Sequence, residues 1–185
     1  MARALVLADE EPYVPLARLL EQSFDLVLCL GDLGHHDLAA LERTGLPKLG
    51  VHGNHDDGDE FVGLGIEDVH LRAVDVAGMT IGGFSGAHHP RARGRFDRSQ
   101  RESERMLRGF GRVDVMIAHS PPLGVNDDPD DPVHVGLSGL RAYVERCRPA
   151  MFLHGHTYPP MPVKRFAGTE IRHVRGHRIV ELPGP

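Results

Sequence analysis

The stretch 49–57, Leu-Gly-Val-His-Gly-Asn-His-Asp-Asp, decides the fold of this chain. Residues 48–51 have the composition of a short strand, and after His52 they lead into Gly53 and three polar side chains. In a sheet of parallel strands, ligands bind beyond the carboxyl ends of the strands. The stretch therefore predicts an α/β protein with a polar site at one edge of its sheet.

The same pattern recurs on both sides of this stretch. Further apolar runs that predict buried strands lie at 4–8, 26–30, 113–118 and 151–153. Polar residues follow the strands in the order Asp9, Asp32, Asn54 with His55 and Asp56, His119 and His156. Carboxylates mixed with imidazoles suit Mn²⁺, Fe or Zn²⁺, and a carboxylate shared by two ions makes a site for displacement at phosphorus. The sequence thus predicts a metal centre at the strand ends.

The rest of the chain predicts more strands and a few helices. Residues 71–76 and 79–82 flank Ala77 and Gly78, which is typical of a two-residue hairpin. Helices are expected over 37–43, 97–107 and 137–147. Near the end, strands are expected over 163–166, 170–174 and 178–182, joined by turns into a meander. Neither a repeat nor a linker divides the sequence, so a single domain over residues 1–185 is expected.

Composition excludes several classes of protein. The 185 residues carry 21 Lys and Arg against 26 Asp and Glu, a net charge of −5, which argues against non-specific binding to nucleic acid or to a membrane surface. Hydrophobic residues at 41% and charged residues at 25% fit an ordinary globular protein. The apolar run 4–8 is too short for a signal sequence or a membrane span, so a cytoplasmic protein is expected.

The ordered motifs resemble those of the calcineurin-like metallophosphoesterase superfamily, in its small single-domain bacterial or archaeal form. The motifs are Gly31-Asp32, Gly53-Asn54-His55-Asp56, His119 before Ser120-Pro121-Pro122, and Gly155-His156-Thr157. The resemblance implies a four-layer αββα sandwich of two mixed β-sheets flanked by helices. It also implies a hydrolase that attacks a small phosphorylated substrate with metal-activated hydroxide, using one or two divalent ions per chain, Mn²⁺ first and Fe or Zn²⁺ as alternatives. The sequence leaves open whether the protein forms a homo-oligomer.

Residue by residue, the resemblance assigns two metal positions. One takes Asp32 as a bridging ligand together with Asn54, His119 and His156, and all four residues are present. The other takes Asp9 and Asp32 with two histidines. In place of those histidines this sequence has Glu11 and Tyr158.

Three hypotheses remain open for the second position. Glu11 ligates through its carboxylate, which is chemically allowed. Alternatively His35 supplies an imidazole three residues after Asp32, where purple acid phosphatases place a tyrosine ligand. In the third hypothesis the position stays empty. Tyr158 either binds as a phenolate or packs as an ordinary hydrogen-bonded tyrosine.

The same resemblance assigns His55 as the general acid that protonates the leaving oxygen, and Asp56 is expected to fix the tautomer of that ring. A phosphodiester is favoured over a monoester because the sequence offers no evident basic clamp for a dianion. The rival hypothesis is a catalytically weak or inactive scaffold on the same fold, as the retromer subunit of this superfamily implies. Ser120 lacks a Gly-x-Ser-x-Gly elbow, which excludes a serine hydrolase of that type.

Two further histidine-bearing segments are left open by the sequence. His88 and His89 lie in a segment with several arginines that either contacts the substrate or forms a solvated basic loop, and the sequence favours the loop. His134 is a candidate for lining the pocket.

Overall fold

The structure is a computed structural model, and it describes residues 1–91 and 93–184. In this part of the chain the strands are β1 (Ala2–Ala8), β2 (Leu26–Cys29), β3 (Lys48–Gly50), β4 (Glu67–Asp68), β5 (Ala73–Val76), β6 (Met79–Phe84), β7 (Ala87–His88), β8 (Asp97–Arg98), β9 (Val115–Ala118), β10 (Met151–His154), β11 (Val163–Phe166), β12 (Thr169–His173) and β13 (Gly176–Leu182). The helices are α1 (Leu16–Leu19), α2 (His35–Leu38), α3 (Gln100–Leu107) and α4 (Ser138–Cys147), with a 3₁₀ helix over Ala39–Arg43.

Two mixed sheets form the centre of the molecule. The first has the strand order β13-β1-β2-β3-β4, and the second has the order β11-β12-β10-β9-β6-β5. The strands β1 to β4 run parallel, whereas β13 pairs antiparallel with β1. In the second sheet β6, β9, β10 and β12 are parallel, and β5 and β11 form antiparallel edges. The expected pair of mixed sheets is confirmed.

Successive side chains along each strand point to opposite faces of the sheet, and this alternation separates the inner core from the outer helix layers. Ala4 and Val6 of β1 face a core between the two sheets, whereas Leu5 and Leu7 face the helices outside the first sheet. On the outer face of the second sheet, Phe152 packs in a cluster with residues of α3 and α4. The helices therefore cover both outer faces, which gives the expected αββα sandwich.

The meander predicted for the last three strands is wrong in its final strand. β11 and β12 pair antiparallel as expected, but β13 leaves their sheet and pairs with β1 of the other sheet. The reason is the availability of sheet edges. Both sides of β12 are already paired, with β11 and β10, while β1 still has one free side. Val180 and Leu182 then enter the core between the sheets.

Local signals elsewhere are largely confirmed. β5 and β6 form the predicted hairpin, and its turn residues Ala77 and Gly78 have φ values of 51° and 77°. The charged helix begins at Gln100 rather than at residue 97, because Ser99 caps it by accepting the Glu102 N–H at 3.2 Å. No helix in residues 1–91 and 93–184 is long and apolar enough to cross a membrane.

Candidate active site

Polar residues from both sheets meet at the carboxyl ends of the strands. Asp9, Asp32 and Asn54 follow β1, β2 and β3, while His119 and His156 follow β9 and β10. They surround a cavity of about 540 Å³. Its lining comprises Asp9, Asp32, Asn54, His55, His88, His89, Asp97, Val133, His134, His156 and Tyr158. His119 is fully buried beside this lining.

Three of these residues are close enough to share one ion. Candidate ligand atoms of Asp32, His119 and His156 all lie within 4.8 Å of one another. The Nε2 atom of His119 lies 3.2 Å from Asp32 Oδ2 and 3.1 Å from Asn54 Oδ1. The structure therefore brings together the four residues that the sequence assigned to the intact metal position.

The surroundings of His119 require a positive charge. Its Nδ1 lies 2.8 Å from the Leu30 carbonyl oxygen and donates to it, so Nε2 faces two oxygen atoms. In a neutral ring that nitrogen carries a lone pair, which the oxygens repel, and a proton or a metal ion relieves the repulsion. Burial lowers the pKa of His119, but the charge and hydrogen bond of Asp32 outweigh it and raise that pKa to about 9. The donor set fits a divalent cation.

Asp32 is correspondingly held as a carboxylate. Burial raises the pKa of Asp32, but the charge and hydrogen bond of His119 outweigh it and lower that pKa to about 2. Its Oδ1 accepts the backbone N–H of His55 at 2.9 Å. One oxygen is thus occupied by the loop after β3, and the other points to the imidazole.

His156 is oriented by two contacts. Its backbone N–H lies 3.0 Å from each carboxylate oxygen of Asp9, and its Nε2 lies 2.8 Å from the carbonyl oxygen of Val133. Donation from Nε2 leaves Nδ1 free to coordinate. Burial and then the nearby His119 lower the pKa of His156 to about 3, while burial raises the pKa of Asp9 to about 6.

Glycines allow the two central loops to approach each other. A Cβ on Gly53 would lie 1.9 Å from Asp32 Oδ1, and a Cβ on Gly31 would lie 2.2 Å from the Gly53 nitrogen. Gly31 also has a φ of 94°, which L side chains rarely adopt. Both motif glycines are therefore required by packing at the metal position.

Three polar residues of the site have left-handed backbone. Asp9, Asp32 and His156 have φ values of 64°, 55° and 68°. Such conformations cost about 1–3 kcal/mol each and persist where the surrounding structure enforces them. The sharp turns they form aim the side chains into the cavity.

Asp56 has a different place from the one the sequence assigned. Its Oδ2 accepts the backbone N–H groups of Asp32 at 3.1 Å and Gly53 at 2.7 Å. No hydrogen bond joins Asp56 to the His55 ring in the described part of the chain. A buried carboxylate requires donors, and the nearest ones are these two amides. Asp56 therefore clamps the loops after β2 and β3 together.

His52 and Glu60 complete this clamp. The His52 ring stacks between Phe61 and Phe96, with centroids 4.2 and 4.8 Å away. Its Nδ1 lies 3.2 Å from Glu60 Oε2 and 3.6 Å from Asp56 Oδ2. These three polar residues also form a group with metal-ligand spacing. Unlike Asp32, each carboxylate accepts two backbone N–H groups, Glu60 through both oxygens and Asp56 through Oδ2. We interpret the group as structural.

His55 lies on the wall of the cavity. Its ring is exposed, and its backbone is fixed by the hydrogen bond to Asp32. An exposed imidazole beside a metal position can reach a bound substrate without holding the ion. This placement is compatible with the role that the sequence assigned to His55.

The residues considered for a second ion are not brought together. Glu11 and His35 are exposed and lie outside the lining, and His35 Nδ1 contacts the Glu60 carbonyl oxygen at 3.1 Å. Tyr158 does line the cavity, but the guanidinium of Arg175 lies 4.7 Å from its ring centroid. Among residues 1–91 and 93–184, the donor set beside Asp9 does not fit a second ion.

Sequence reasoning undervalued His88 and His89. Both line the cavity because β7 pairs with β8, and His88 Nδ1 lies 3.2 Å from the Arg98 carbonyl oxygen. The strands are two residues long and carry no periodic signal, so only the tertiary pairing reveals them. His134 also lines the cavity, with its ring centroid 5.0 Å from that of His156.

Fold and site together define an αββα sandwich with a candidate metal centre, and comparison with known proteins supplies the family. The family model for calcineurin-like phosphoesterases matches residues 9–160. The chain belongs to this family and is a metal-dependent phosphoric ester hydrolase by that membership. A search of curated protein sequences found no significant match.

Solved structures show the same fold at low identity. A phosphopantetheinyl hydrolase from Mycobacterium tuberculosis aligns over 98% of this chain and 96% of its own, with 14% identity and a TM-score of 0.61. A dimetal phosphatase from Danio rerio aligns over 95% and 87%, with 12% identity and a TM-score of 0.56. The TT1561 protein of Thermus thermophilus aligns over 93% and 88%, with 14% identity and a TM-score of 0.60.

Proposed function

We propose that the protein is a phosphodiesterase that uses a divalent metal ion, with Mn²⁺ as the first candidate. The observation that carries this proposal is the convergence of Asp32, His119 and His156 within 4.8 Å beside an open cavity. Asn54 adds an amide oxygen to the set. Mixed carboxylate, amide and imidazole donors suit Mn²⁺, and Fe and Zn²⁺ remain alternatives.

The protein's contribution is to hold its groups in place. A divalent ion at this position would polarise the phosphoryl oxygens and supply an activated water. Asp32 and His119 are fixed by hydrogen bonds before any ion arrives, which lowers the cost of assembling the site. His88 and His89 also line the cavity and offer donors to the non-bridging oxygens of a phosphate.

His55 is assigned as the general acid. Its exposed ring lies on the cavity wall, while its backbone is held to Asp32. From that place it can donate a proton to the leaving oxygen as the ester bond breaks.

A monoanionic diester suits this cavity better than a dianionic monoester. Neither Lys nor Arg is among the residues that line it in the described part of the chain. Asp9 and Asp97 do line it, and their charges disfavour a second negative charge on the substrate.

Turnover of two generic substrates tests the proposed function. The protein is reconstituted with Mn²⁺, Fe²⁺ or Zn²⁺, and hydrolysis of bis(p-nitrophenyl) phosphate is compared with that of p-nitrophenyl phosphate. We expect the diester to be hydrolysed faster, and we expect EDTA or Asp32→Asn to abolish the reaction. Absence of turnover with every ion would instead favour an inactive scaffold on this fold.

The role of His55 has its own test. We expect His55→Ala to lower kcat by about 10²–10⁴-fold, because a general acid contributes that much, and to leave the metal content unchanged. The matched control is His36→Ala. The side chain of His36 is 88% exposed, and this residue lies outside the cavity lining. Loss of the bound ion in His55→Ala would count against the assigned role.

A further inference from the structure

The polar residues at the cavity differ in their potential as metal ligands. Asp32, Asn54, His119 and His156 form one group, as described above. Asp9 lies next to this group, and both of its carboxylate oxygens lie 3.0 Å from the backbone nitrogen of His156. In residues 1–91 and 93–184, Asp9 belongs to no group of three side chains with metal-ligand spacing. Its carboxylate is engaged with the protein itself.

The residue after Asp9 is held by a cation. The guanidinium of Arg175 forms an ion pair with Glu10 and lies over the ring of Tyr158, which lines the cavity. Glu10 is held in turn by the Tyr13 hydroxyl, which donates to it at 3.2 Å. A second divalent ion beside Asp9 would therefore lack a matching set of ligand side chains in residues 1–91 and 93–184.

The contact of Asp9 with His156 gives Asp9 another task. His156 has a left-handed φ of 68°, and the Asp9 carboxylate accepts its backbone N–H within this turn. A Cβ on Gly155 would lie 2.8 Å from either Asp9 oxygen, so the carboxylate packs directly against the turn. Moving Asp9 would therefore move the imidazole of His156.

We propose that the centre binds a single divalent ion, through Asp32, Asn54, His119 and His156, and that Asp9 is a positioning residue for His156 rather than a ligand. The inference rests on the metal position of the proposed function and deepens it. The site would hold one ion, and neither Lys nor Arg lines the cavity in the described part of the chain, so the site offers limited positive charge. Such a site favours a monoanionic phosphodiester over a dianionic monoester.

Metal stoichiometry tests the inference without any assay of turnover. Protein saturated with Mn²⁺ is analysed by calorimetric titration and by elemental analysis, and EPR distinguishes isolated from spin-coupled Mn²⁺. We expect one isolated ion in the wild type, one in Asp9→Asn and none in Asp32→Asn. Asp9→Asn retains an oxygen that accepts the His156 N–H, so its Mn²⁺ affinity should stay close to that of the wild type.

Asp9→Ala separates positioning from ligation. It removes the acceptor, and we expect its Mn²⁺ affinity to fall about tenfold or more, with one ion still bound at saturation. Two spin-coupled ions in the wild type would overturn the inference, and so would loss of the ion from Asp9→Asn in protein that circular dichroism shows to be folded. The wild-type measurement needs no variant. One bound ion without turnover would overturn the proposed function alone.

Discussion

At the scale of single residues, the site depends on glycines, which have no side chain, as much as on the polar ligands. Gly31 and Gly53 allow two loops to touch, and Asp32 lies in the gap between them. Asp56 then joins the loops through two backbone N–H groups. The ligands are therefore positioned by backbone packing before any ion binds.

Gly53→Ala tests this dependence directly. The new Cβ would lie 1.9 Å from Asp32 Oδ1, so the carboxylate has to move, and we expect loss of Mn²⁺ binding measured by calorimetric titration. Gly45→Ala is the matched control, because a Cβ there meets nothing within 4 Å. Wild-type affinity in Gly53→Ala would show that the loops can separate without harm to the site.

At the scale of elements, α3 and α4 cover the second sheet as one closely packed pair. Gly139 lies in α4 against the backbone of α3, and a Cβ there would lie 2.3 Å from the carbonyl carbon of Ser103. The Ser103 hydroxyl accepts the Gly139 N–H at 3.1 Å. The two helices approach this closely because Gly139 has no side chain.

We expect Gly139→Ala to lower the free energy of unfolding by about 1–3 kcal/mol, since overpacking forces backbone shifts. Helix propensity alone predicts the opposite sign, because alanine favours a helix over glycine by about 1 kcal/mol. Urea denaturation decides between the two, with Gly109→Ala as the control, since a Cβ there meets nothing within 4 Å. A stabilised Gly139→Ala protein would refute the close contact.

At the scale of the whole molecule, the site lies across the two sheets. Asp9, Asp32 and Asn54 come from the first sheet, while His119 and His156 come from the second. The relative placement of the sheets therefore sets the distances between ligands. β13 contributes to that placement, because the chain leaves the second sheet after β12 and joins the first beside β1.

Two positions on β13 test how much this strand holds the sheets together. Leu182 is fully buried in the core between them, whereas Ile179 is 40% exposed on the same strand. We expect Leu182→Ala to cost about 2–5 kcal/mol of unfolding free energy. Ile179→Ala should change it by about 0.5 kcal/mol or less in chemical denaturation. Similar losses in both variants would contradict the proposed role of the buried core.

The sequence by itself determined the fold class and the order of the site residues. Short apolar runs in the sequence predict the buried strands, and a polar motif follows each run. Both features can therefore be recognised from neighbouring residues in the sequence. Parallel strands bring their carboxyl ends to one edge, which predicted a polar site at the strand ends. The family resemblance supplied the grouping of Asp32, Asn54, His119 and His156, which come from two sheets. The hairpin around Ala77 and Gly78 was equally local.

Only the tertiary structure decided the remaining questions. β13 pairs with the free edge of β1. Asp56 accepts the backbone N–H groups of Asp32 and Gly53. His88 lines the cavity because β7 pairs with β8. In residues 1–91 and 93–184, Asp9 likewise lacks a three-residue ligand group because Glu11 and His35 are exposed and lie outside the cavity lining. Strands pair at free sheet edges, buried acceptors bind unpaired N–H groups, and charges interact between residues that are far apart in the chain. A local sequence pattern therefore cannot predict these contacts.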